Sequence, residues 1–322
     1  MPITRRLAAT AAALAIVATA GCAVDHADNA RPSTGAAGGV PSKLSVVATT
    51  GYLGDAVHNI APDADVAVLV GPGGDPHTQA LTTADAERLE AADVVVWTSH
   101  DMEHQMMDQL DALGAKQVAA GEAIPDELLL PWEEDGKVEG HDPHVWNSPE
   151  AWTHVVTATA DKLAEVDAAN ADTYRANAKA YNTRIRDAER EARASFEAIP
   201  KAQRVLVTGH DAFNYLGKTF DIEIHATDFV SSEAQMSAVE IDELASLIAD
   251  KHVGVIFQDN LSNPEAITHV KEAVKAKGGH VEIADTPLYA DSLGESAPTD
   301  TYLGAFQYNV EQMVAAFKKA GK

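Results

Sequence analysis

Short apolar runs alternate along this chain with stretches of helical spacing, and this alternation is the strongest constraint on its fold. The apolar runs lie at residues 44–49, 66–70, 93–97, 204–208, 254–257 and 280–283. Helices are predicted over 53–60 and 81–91, the second capped by Thr82 or Thr83. Buried strands that alternate with helices in this way form βαβ units. The chain is therefore predicted to be an α/β protein with mainly parallel sheets flanked by helices.

A different pattern separates the two α/β regions. Residues 171–197 contain neither Gly nor Pro, and apolar side chains recur there at helical spacing, with Pro200 limiting the end. At 1.5 Å per residue, a helix over this range would be about 40 Å long. The pattern alone fits a stiff spine between two lobes and one more packed surface helix equally well.

The N-terminus has the features of an export signal, which lies outside the folded part. Arg5 and Arg6 precede an apolar stretch at 7–20, too short for a membrane span. It ends at Gly21 and Cys22, the only cysteine of the chain, and this pair resembles a bacterial lipobox. We expect Cys22 to be lipidated, and the alternative is an ordinary signal peptide with an incidental cysteine. The export route stays open, because the two arginines could belong to a twin-arginine signal. A single cysteine excludes an internal disulfide.

The chain is strongly acidic. Its 24 basic and 49 acidic residues give a formal net charge of −25 at pH 7. Such a chain is a poor partner for nucleic acid or for an anionic membrane surface, whereas it attracts cations. The 13 histidines are more informative than the charge, because imidazole is a common ligand of transition metals.

Two identical tripeptides are the first candidates for metal ligands. Residues 75–77 and 142–144 both have the sequence Asp-Pro-His, each after a Gly-rich or polar stretch. A proline before His77 or His144 restricts the backbone and helps to aim the imidazole. Nearby aspartates could orient the ring nitrogens, as metal-bound histidines require. The repetition indicates a site, although coincidence remains an alternative on the motif alone.

Two further candidates follow predicted strands of the second α/β region. His210 lies between the strand at 204–208 and a helix expected to begin near 211–213. Asp291 lies in the loop after the strand ending at 283, where Asp285 is its rival. Loops at the carboxyl ends of strands are where α/β proteins bind ligands. Three imidazoles and a carboxylate suit a borderline metal such as zinc, iron or manganese, and no thiolate is available.

Several segments together resemble a known family. Gly-Pro-Gly-Gly-Asp-Pro-His and Asp-Pro-His-Val-Trp carry His77 and His144, Gly-His-Asp-Ala-Phe-Asn-Tyr-Leu carries His210, and Leu-Tyr-Ala-Asp-Ser-Leu-Gly carries Asp291. These segments resemble the metal-site motifs of the cluster A-I solute-binding proteins of zinc and manganese ABC importers, the TroA/ZnuA-like group. With the segments at 49–57, 89–96 and 301–303, the resemblance covers about residues 44–318 in collinear order.

The resemblance implies an architecture and a ligand set. The fold would have two lobes, each with a central sheet, joined by one long backbone helix, which favours the spine at 171–197. The metal would lie between the lobes, held by His77 and His144 from the first lobe and by His210 and Asp291 from the second. The aspartates expected to orient the rings are Asp75, Asp142 and Asp211.

The resemblance leaves the metal open between Mn²⁺ and Zn²⁺, with Fe²⁺ also acceptable. Manganese-dedicated members of the family often have Glu where this chain has His210. Zinc-dedicated members often carry a long His-rich loop between the first two ligands, but here the stretch 131–141 is short and poor in His. The chain thus looks like the mixed manganese/zinc subgroup, and we lean to manganese.

The expected function is that of an extracytoplasmic receptor that captures the ion and delivers it to an ABC-transporter permease. The expected organisation is an export signal (1–21), a lipid-anchored tether (22–42), an N-terminal lobe (43–153), a helical linker (154–199) and a C-terminal lobe (200–322). We expect a monomer, no enzyme, no nucleic-acid partner, and attachment by lipid alone to the outer face of the bacterial cytoplasmic membrane. The alternatives are an exported zinc hydrolase and a surface adhesin lipoprotein with a structural metal.

A histidine cluster outside these motifs has two interpretations. His100 and His104 flank Asp101 and Glu103 just after the strand at 93–97. They could form an accessory metal site, but a solvated polar cluster after a strand is the more ordinary arrangement.

Overall fold

The first lobe is built on a four-stranded parallel sheet. The computed structural model describes residues 43–134, 137–227, 236–261 and 264–319. The sheet has the order β2-β1-β3-β4, and its strands are β1 (Ser45–Thr50), β2 (Asp65–Val70), β3 (Val94–Trp97) and β4 (Gln117–Ala119). Val46 pairs with both Val66 and Val94, which fixes the register of β2, β1 and β3. All four carboxyl ends therefore meet at one edge of the sheet.

Both faces of this sheet are covered, because successive residues of a strand point to opposite sides. Val46 and Ala48 face one core, while Val47 faces the other. Helices α1 (Gly51–Ile60) and α4 (Pro149–Val166) cover the first face, and α2 (Thr83–Ala91) and α3 (Met107–Asp111) cover the second. Helix α2 begins after Thr82, which takes part in a capping box with Asp85 and is thus the cap of the two predicted.

A hairpin precedes the second Asp-Pro-His tripeptide. Strands β5 (Pro131–Glu134) and β6 (Lys137–His141) pair antiparallel, with Pro131 opposite His141. The backbone N–H of Asp142 donates to the carbonyl of Leu130 at 2.9 Å, which continues the pairing by one residue. The hairpin thus fixes where residues 142–144 leave the sheet.

The second lobe has two short parallel strand pairs in place of one wide sheet. Strand β7 (Val205–Thr208) pairs with β8 (Glu223–Ala226), and β9 (Val255–Ile256) pairs with β10 (Glu282–Ile283). The N–H of Phe257 donates to the carbonyl of Val207 at 2.9 Å, so the two pairs lie side by side. Helices α6 (Asn214–Phe220), α7 (Ala238–Asp250) and α8 (Pro264–Ala276) surround them.

One long helix belongs to the cores of both lobes. Helix α5 spans Ala171–Glu197, which matches the predicted range and gives a length of about 40 Å. Tyr174 and Ile185 pack in the core of the first lobe, whereas Ala192 and Phe196 pack in that of the second. The two-lobe architecture with a backbone helix is therefore confirmed.

The C-terminal helix α9 (Tyr302–Phe317) adds a second connection that the sequence analysis did not predict. Tyr302 and Ala305 pack in the first core, and Val310 and Met313 pack in the second. Two helices thus share their apolar side chains between the lobes. Within the described residues, no helix combines the length and the apolar character that a membrane crossing requires.

Candidate metal centre

Four side chains from distant parts of the chain meet at one buried point. They are His77, His144, His210 and Asp291, whose residues are 4%, 0%, 2% and 1% exposed. His77 lies in the loop after β2, His144 follows the hairpin, His210 follows β7, and Asp291 lies in the loop after β10. Each therefore comes from a segment that follows a strand, and the first two belong to one lobe while the last two belong to the other.

The distances show that the donor atoms converge. Nε2 of His144 lies 3.3 Å from Nε2 of His77 and 3.1 Å from Nε2 of His210. Of the two oxygens of Asp291, Oδ2 lies 3.0 Å from Nε2 of His210 and Oδ1 lies 3.4 Å from Nε2 of His144. Three ring nitrogens and a carboxylate that face one another in this way form a donor set suited to a divalent transition metal.

The electrostatics of the site centre on Asp291. Burial would raise the pKa of this carboxyl group, but the neighbouring histidines, with His210 foremost, hold it far below its ordinary value. Burial likewise opposes charge on His210, yet the attraction of Asp291 prevails and raises its pKa to about 9. Burial lowers the pKa of His77 to about 4. In the metal-free state at neutral pH, the protonated form of His210 is therefore favoured opposite the negative charge of Asp291.

Asp142 orients the ring of His144. Its Oδ1 accepts hydrogen bonds from Nδ1 of His144 at 2.7 Å and from the backbone N–H of His144 at 3.0 Å. A carboxylate only accepts, so Nδ1 carries the hydrogen and Nε2 presents its lone pair to the site. The predicted orienting contact is therefore present at this residue.

The other two predicted aspartates act differently. Asp75 accepts the backbone N–H of His77 at 2.9 Å and the hydroxyl of Thr78 at 3.1 Å, which shapes the loop that carries His77. Asp211 shares a hydrogen bond with Asn214, and burial raises its pKa. Nδ1 of His210 is buried without a hydrogen-bond partner in the part of the chain that the structure describes.

Two aromatic side chains of the first lobe hold the loop that carries Asp291. The carbonyl oxygen of Ala290 accepts from the hydroxyl of Tyr52 at 2.8 Å and from Nε1 of Trp146 at 2.9 Å. The two rings are stacked with centroids 4.8 Å apart, and Trp146 also packs edge-on against His144. The carboxylate from the second lobe is thus positioned by donors of the first.

A second set of polar contacts joins the lobes around Asp142. The hydroxyl of Tyr215 donates to the carbonyl of Asp142 at 2.8 Å and accepts from the N–H of Leu130 at 3.1 Å. Nδ2 of Asn214 donates to Oδ2 of Asp142 at 3.1 Å, so this carboxylate contacts both lobes. Four side chains therefore support the site through contacts between the lobes: Tyr52, Trp146, Asn214 and Tyr215. The sequence analysis singled out none of them, although all four lie inside the family-like segments.

His100 and His104 do not come together as an accessory metal site, and of the two interpretations the solvated cluster fits His104. Glu103 points inward and is fully buried, whereas His104 is exposed with its Nδ1 2.9 Å from Asp101. Within the described ranges, His77, His144, His210 and Asp291 make up the only group of three or more such side chains with closely spaced donor atoms. The predicted lipidation residue, Cys22, lies outside the described residues.

Comparisons with known proteins identify relatives of this chain. The family model described as ZnuA, the periplasmic component A of a zinc-uptake complex, matches residues 46–316. The manganese-binding lipoprotein MntA of Bacillus subtilis is 32% identical over 308 residues, which cover 94% of this chain and 96% of MntA. The zinc-binding protein TroA of Treponema pallidum is 31% identical over 281 residues, 86% of this chain and 90% of TroA. The solved structure of TroA superposes with a TM-score of 0.81 over 86% of this chain and 99% of its own.

Proposed function

This chain belongs to the ZnuA family of metal-uptake components. We propose that it is an extracytoplasmic receptor that binds Mn²⁺ or Zn²⁺ between its lobes and passes the ion to an ABC-transporter permease. The observation that carries the proposal is the convergence of His77, His144, His210 and Asp291 from two lobes on one buried point. A ligand set divided between lobes makes the affinity depend on how the lobes and their loops are placed. That dependence is what a receptor needs in order to bind tightly and then release.

Burial of the site supports transport over catalysis. A catalytic zinc keeps an open coordination position for water or substrate, usually beside three protein ligands. Here four side chains, none more than 4% exposed, face the same space. We therefore propose a binding protein and not a hydrolase.

The geometry of Asp291 favours manganese as the cargo. Its Oδ1 and Oδ2 face different histidines, at 3.4 and 3.0 Å, so both oxygens can reach one ion. Three nitrogens and two oxygens exceed the tetrahedral shell that zinc prefers and suit a larger coordination number. Zinc still binds such a site tightly, because manganese is the weakest-binding ion of the divalent series, in which affinity rises to copper and then falls to zinc. Selection of manganese would then depend on which ion is available outside the cell.

The decisive experiment combines binding with uptake. The metal-stripped protein is titrated with Mn²⁺ and Zn²⁺ in competition with a chelator of known affinity, beside His210→Ala and a matched control, His225→Ala. His225 lies in the same lobe, and its Nε2 contacts Glu223 at 2.9 Å on the surface. We expect tight binding of both ions in the parent and the control and its loss in His210→Ala. Equal affinity in all three proteins would refute the proposed site.

Uptake and attachment are tested in the native bacterium. Deletion of the gene should lower cellular manganese, measured by mass spectrometry of the metal content, and the His210→Ala gene should not restore it. Unchanged manganese with lowered zinc would reassign the cargo. Unchanged content of both metals would exclude the transport function. We propose that Cys22 carries the lipid, so Cys22→Ala should release the protein from the membrane fraction; retention of this variant would refute the anchor.

A further inference from the structure

A second group of histidines and carboxylates lies in an open pocket beside the first sheet. The pocket has a volume of about 460 Å³ and is lined by His100, Asp101, Trp132, Glu139, Gly140 and His141. His100 follows β3, at the sheet edge where His77 follows β2, and His141 ends the hairpin three residues before His144. The pocket is thus separate from the buried site but close to the segments that build it.

The two imidazoles of the pocket are spaced like those of the buried site. The ring centroids of His100 and His141 lie 5.4 Å apart with planes at 82°. In the buried site, the three pairs of rings lie 5.0 to 5.6 Å apart with planes at 60° to 75°. The backbone of His141 is fixed by its pairing with Pro131, and its side chain is exposed. The two rings therefore lie as close together, centroid to centroid, as those of the buried site.

The hydrogen bonds of His100 leave one ring nitrogen as a ligand. Nε2 lies 3.1 Å from the carbonyl oxygen of Gly121, and because a carbonyl only accepts, Nε2 carries the hydrogen. Nδ1 then presents its lone pair, 3.8 Å from Oε1 of Glu122, a carboxylate beside the pocket that also accepts the hydroxyl of Ser99. His77 and Asp291 show the same 3.8 Å separation in the buried site. Two metal–ligand bonds of about 2.0–2.2 Å can span that distance.

The backbone that presents His100 is held in an uncommon conformation. Ser99, His100 and Asp101 have φ angles of 75°, 54° and 68°, a left-handed run of three residues without glycine. Such backbone persists only where the surroundings enforce it, and it is concentrated at functional sites. The buried carboxylate of Glu103 enforces it here, since it accepts the N–H groups of Thr98 at 2.8 Å and Ser99 at 3.0 Å.

We propose that His100, His141 and Glu122 form a second, solvent-accessible site for a divalent cation of the zinc class. Two imidazoles and one carboxylate leave a coordination position for water, a donor set that zinc accepts. Among the described residues, only the buried group has its donor atoms within 4.8 Å of one another, so binding here requires the exposed side chains of His141 and Glu122 to rotate. The site is therefore weaker than the buried one and exchanges its ion with solvent. A bound ion ties the hairpin to the loop after β3, next to the segment that carries His144.

The test is a calorimetric titration of the tag-free, metal-stripped protein with Zn²⁺. We expect a tight equivalent and a second equivalent at least about tenfold weaker, since the second site is open and not preformed. His141→Ala and Glu122→Gln should each remove the weaker equivalent and retain the tight one. Both altered side chains are exposed, so thermal unfolding of the metal-free variants should match the parent. His104→Ala is the control and should retain both equivalents.

One further variant separates this proposal from the function of the buried site. His77→Ala should abolish the tight equivalent and leave the weaker one in place. The proposal is overturned if the parent binds no second equivalent, or if the second equivalent survives in both His141→Ala and Glu122→Gln. Loss of the weaker equivalent in His104→Ala would also overturn it, because the ligands would then be those of the exposed cluster. Failure of the tight equivalent alone would count against the buried site and not against this one.

Discussion

Replacement of Asp142 by asparagine tests how the buried site is organised without touching a proposed ligand. Oδ1 of Asp142 accepts from Nδ1 of His144 at 2.7 Å, a bond that strengthens when the metal draws charge from the ring. Asparagine keeps an acceptor at this place but removes the negative charge. A hydrogen bond to a charged group contributes about 1.5–3 kcal/mol and a neutral one about 0.5–1.5. The difference of roughly 1–1.5 kcal/mol corresponds to about a tenfold loss of metal affinity.

Alanine at the same position removes the acceptor as well. Both Nδ1 and the backbone N–H of His144 then lose their partner, and Asn214 loses its contact across the lobes. Loss of such an outer contact costs roughly 10–100-fold in metal affinity, so Asp142→Ala should fall towards the upper end of that range. The expected order of affinity is the parent, then Asp142→Asn, then Asp142→Ala.

The assay is competition for Zn²⁺ and Mn²⁺ against a chromophoric chelator at fixed pH and salt. Asp85→Asn is the matched control, because Asp85 belongs to the capping box of a helix in the same lobe. It removes the same long-range negative charge without a contact to His144. Affinity of Asp142→Asn within twofold of the control would refute the reasoning that the carboxylate acts through the ring of His144.

Three further outcomes are expected from the same structure. The pKa of His210 is raised to about 9 in the metal-free state, so metal binding near neutral pH must displace a proton, and metal affinity should fall about tenfold for each pH unit below 9. Calorimetry in buffers of different ionisation enthalpy should detect the released proton. Absence of proton release at pH 7 would contradict the assignment of the proton to His210. Tyr215→Phe removes a buried hydroxyl that bridges two backbone groups of the first lobe, so the free energy of unfolding measured by chemical denaturation should fall by about 1–3 kcal/mol. A decrease of less than about 0.5 kcal/mol would contradict the bridging role. Because α5 and α9 each pack in both cores, metal-free and metal-loaded protein should have radii of gyration within about 1 Å in solution scattering, and a change of several Å would show a wide hinge.

The parts of the fold that the sequence predicted are those with a strong local pattern. The buried run at β1 and the uninterrupted helical spacing at α5 depend on neighbouring residues only, and both were placed within a residue or two. Strand β4 has three half-buried residues and β8 begins with Glu and contains His, so neither shows an apolar run. Their strand character comes from pairing with an already formed neighbour, which a local pattern does not contain.

The same distinction holds for the candidate site. The four proposed ligands could be found because each lies in a short segment with its own signature after a strand. The contact of Tyr52 with the carbonyl of Ala290 joins residues 238 positions apart, and no local feature of either segment predicts it. The contact of the His100 ring with the His141 ring likewise depends on how the hairpin folds back, and the sequence analysis considered only the adjacent His104 as a partner of His100.

Proton and metal ion compete for one charge-balancing role in the buried site. Asp291 is 1% exposed, and a buried carboxylate needs a compensating cation. Without metal that cation is the His210 imidazolium, whose pKa is raised to about 9. Its contribution to the stability of the folded protein is therefore complete below about 6.5, the ordinary pKa of histidine, and is lost as pH rises through about 9. At neutral pH the attraction between protonated His210 and Asp291 therefore contributes to holding their loops together in the metal-free protein. A divalent ion bound by these side chains would replace that proton in a site whose lobes are already joined through Ala290 and Asp142. Under the proposed function, release at the permease would require only a local displacement of one ligand loop, because two helices with side chains in both cores resist a wide opening.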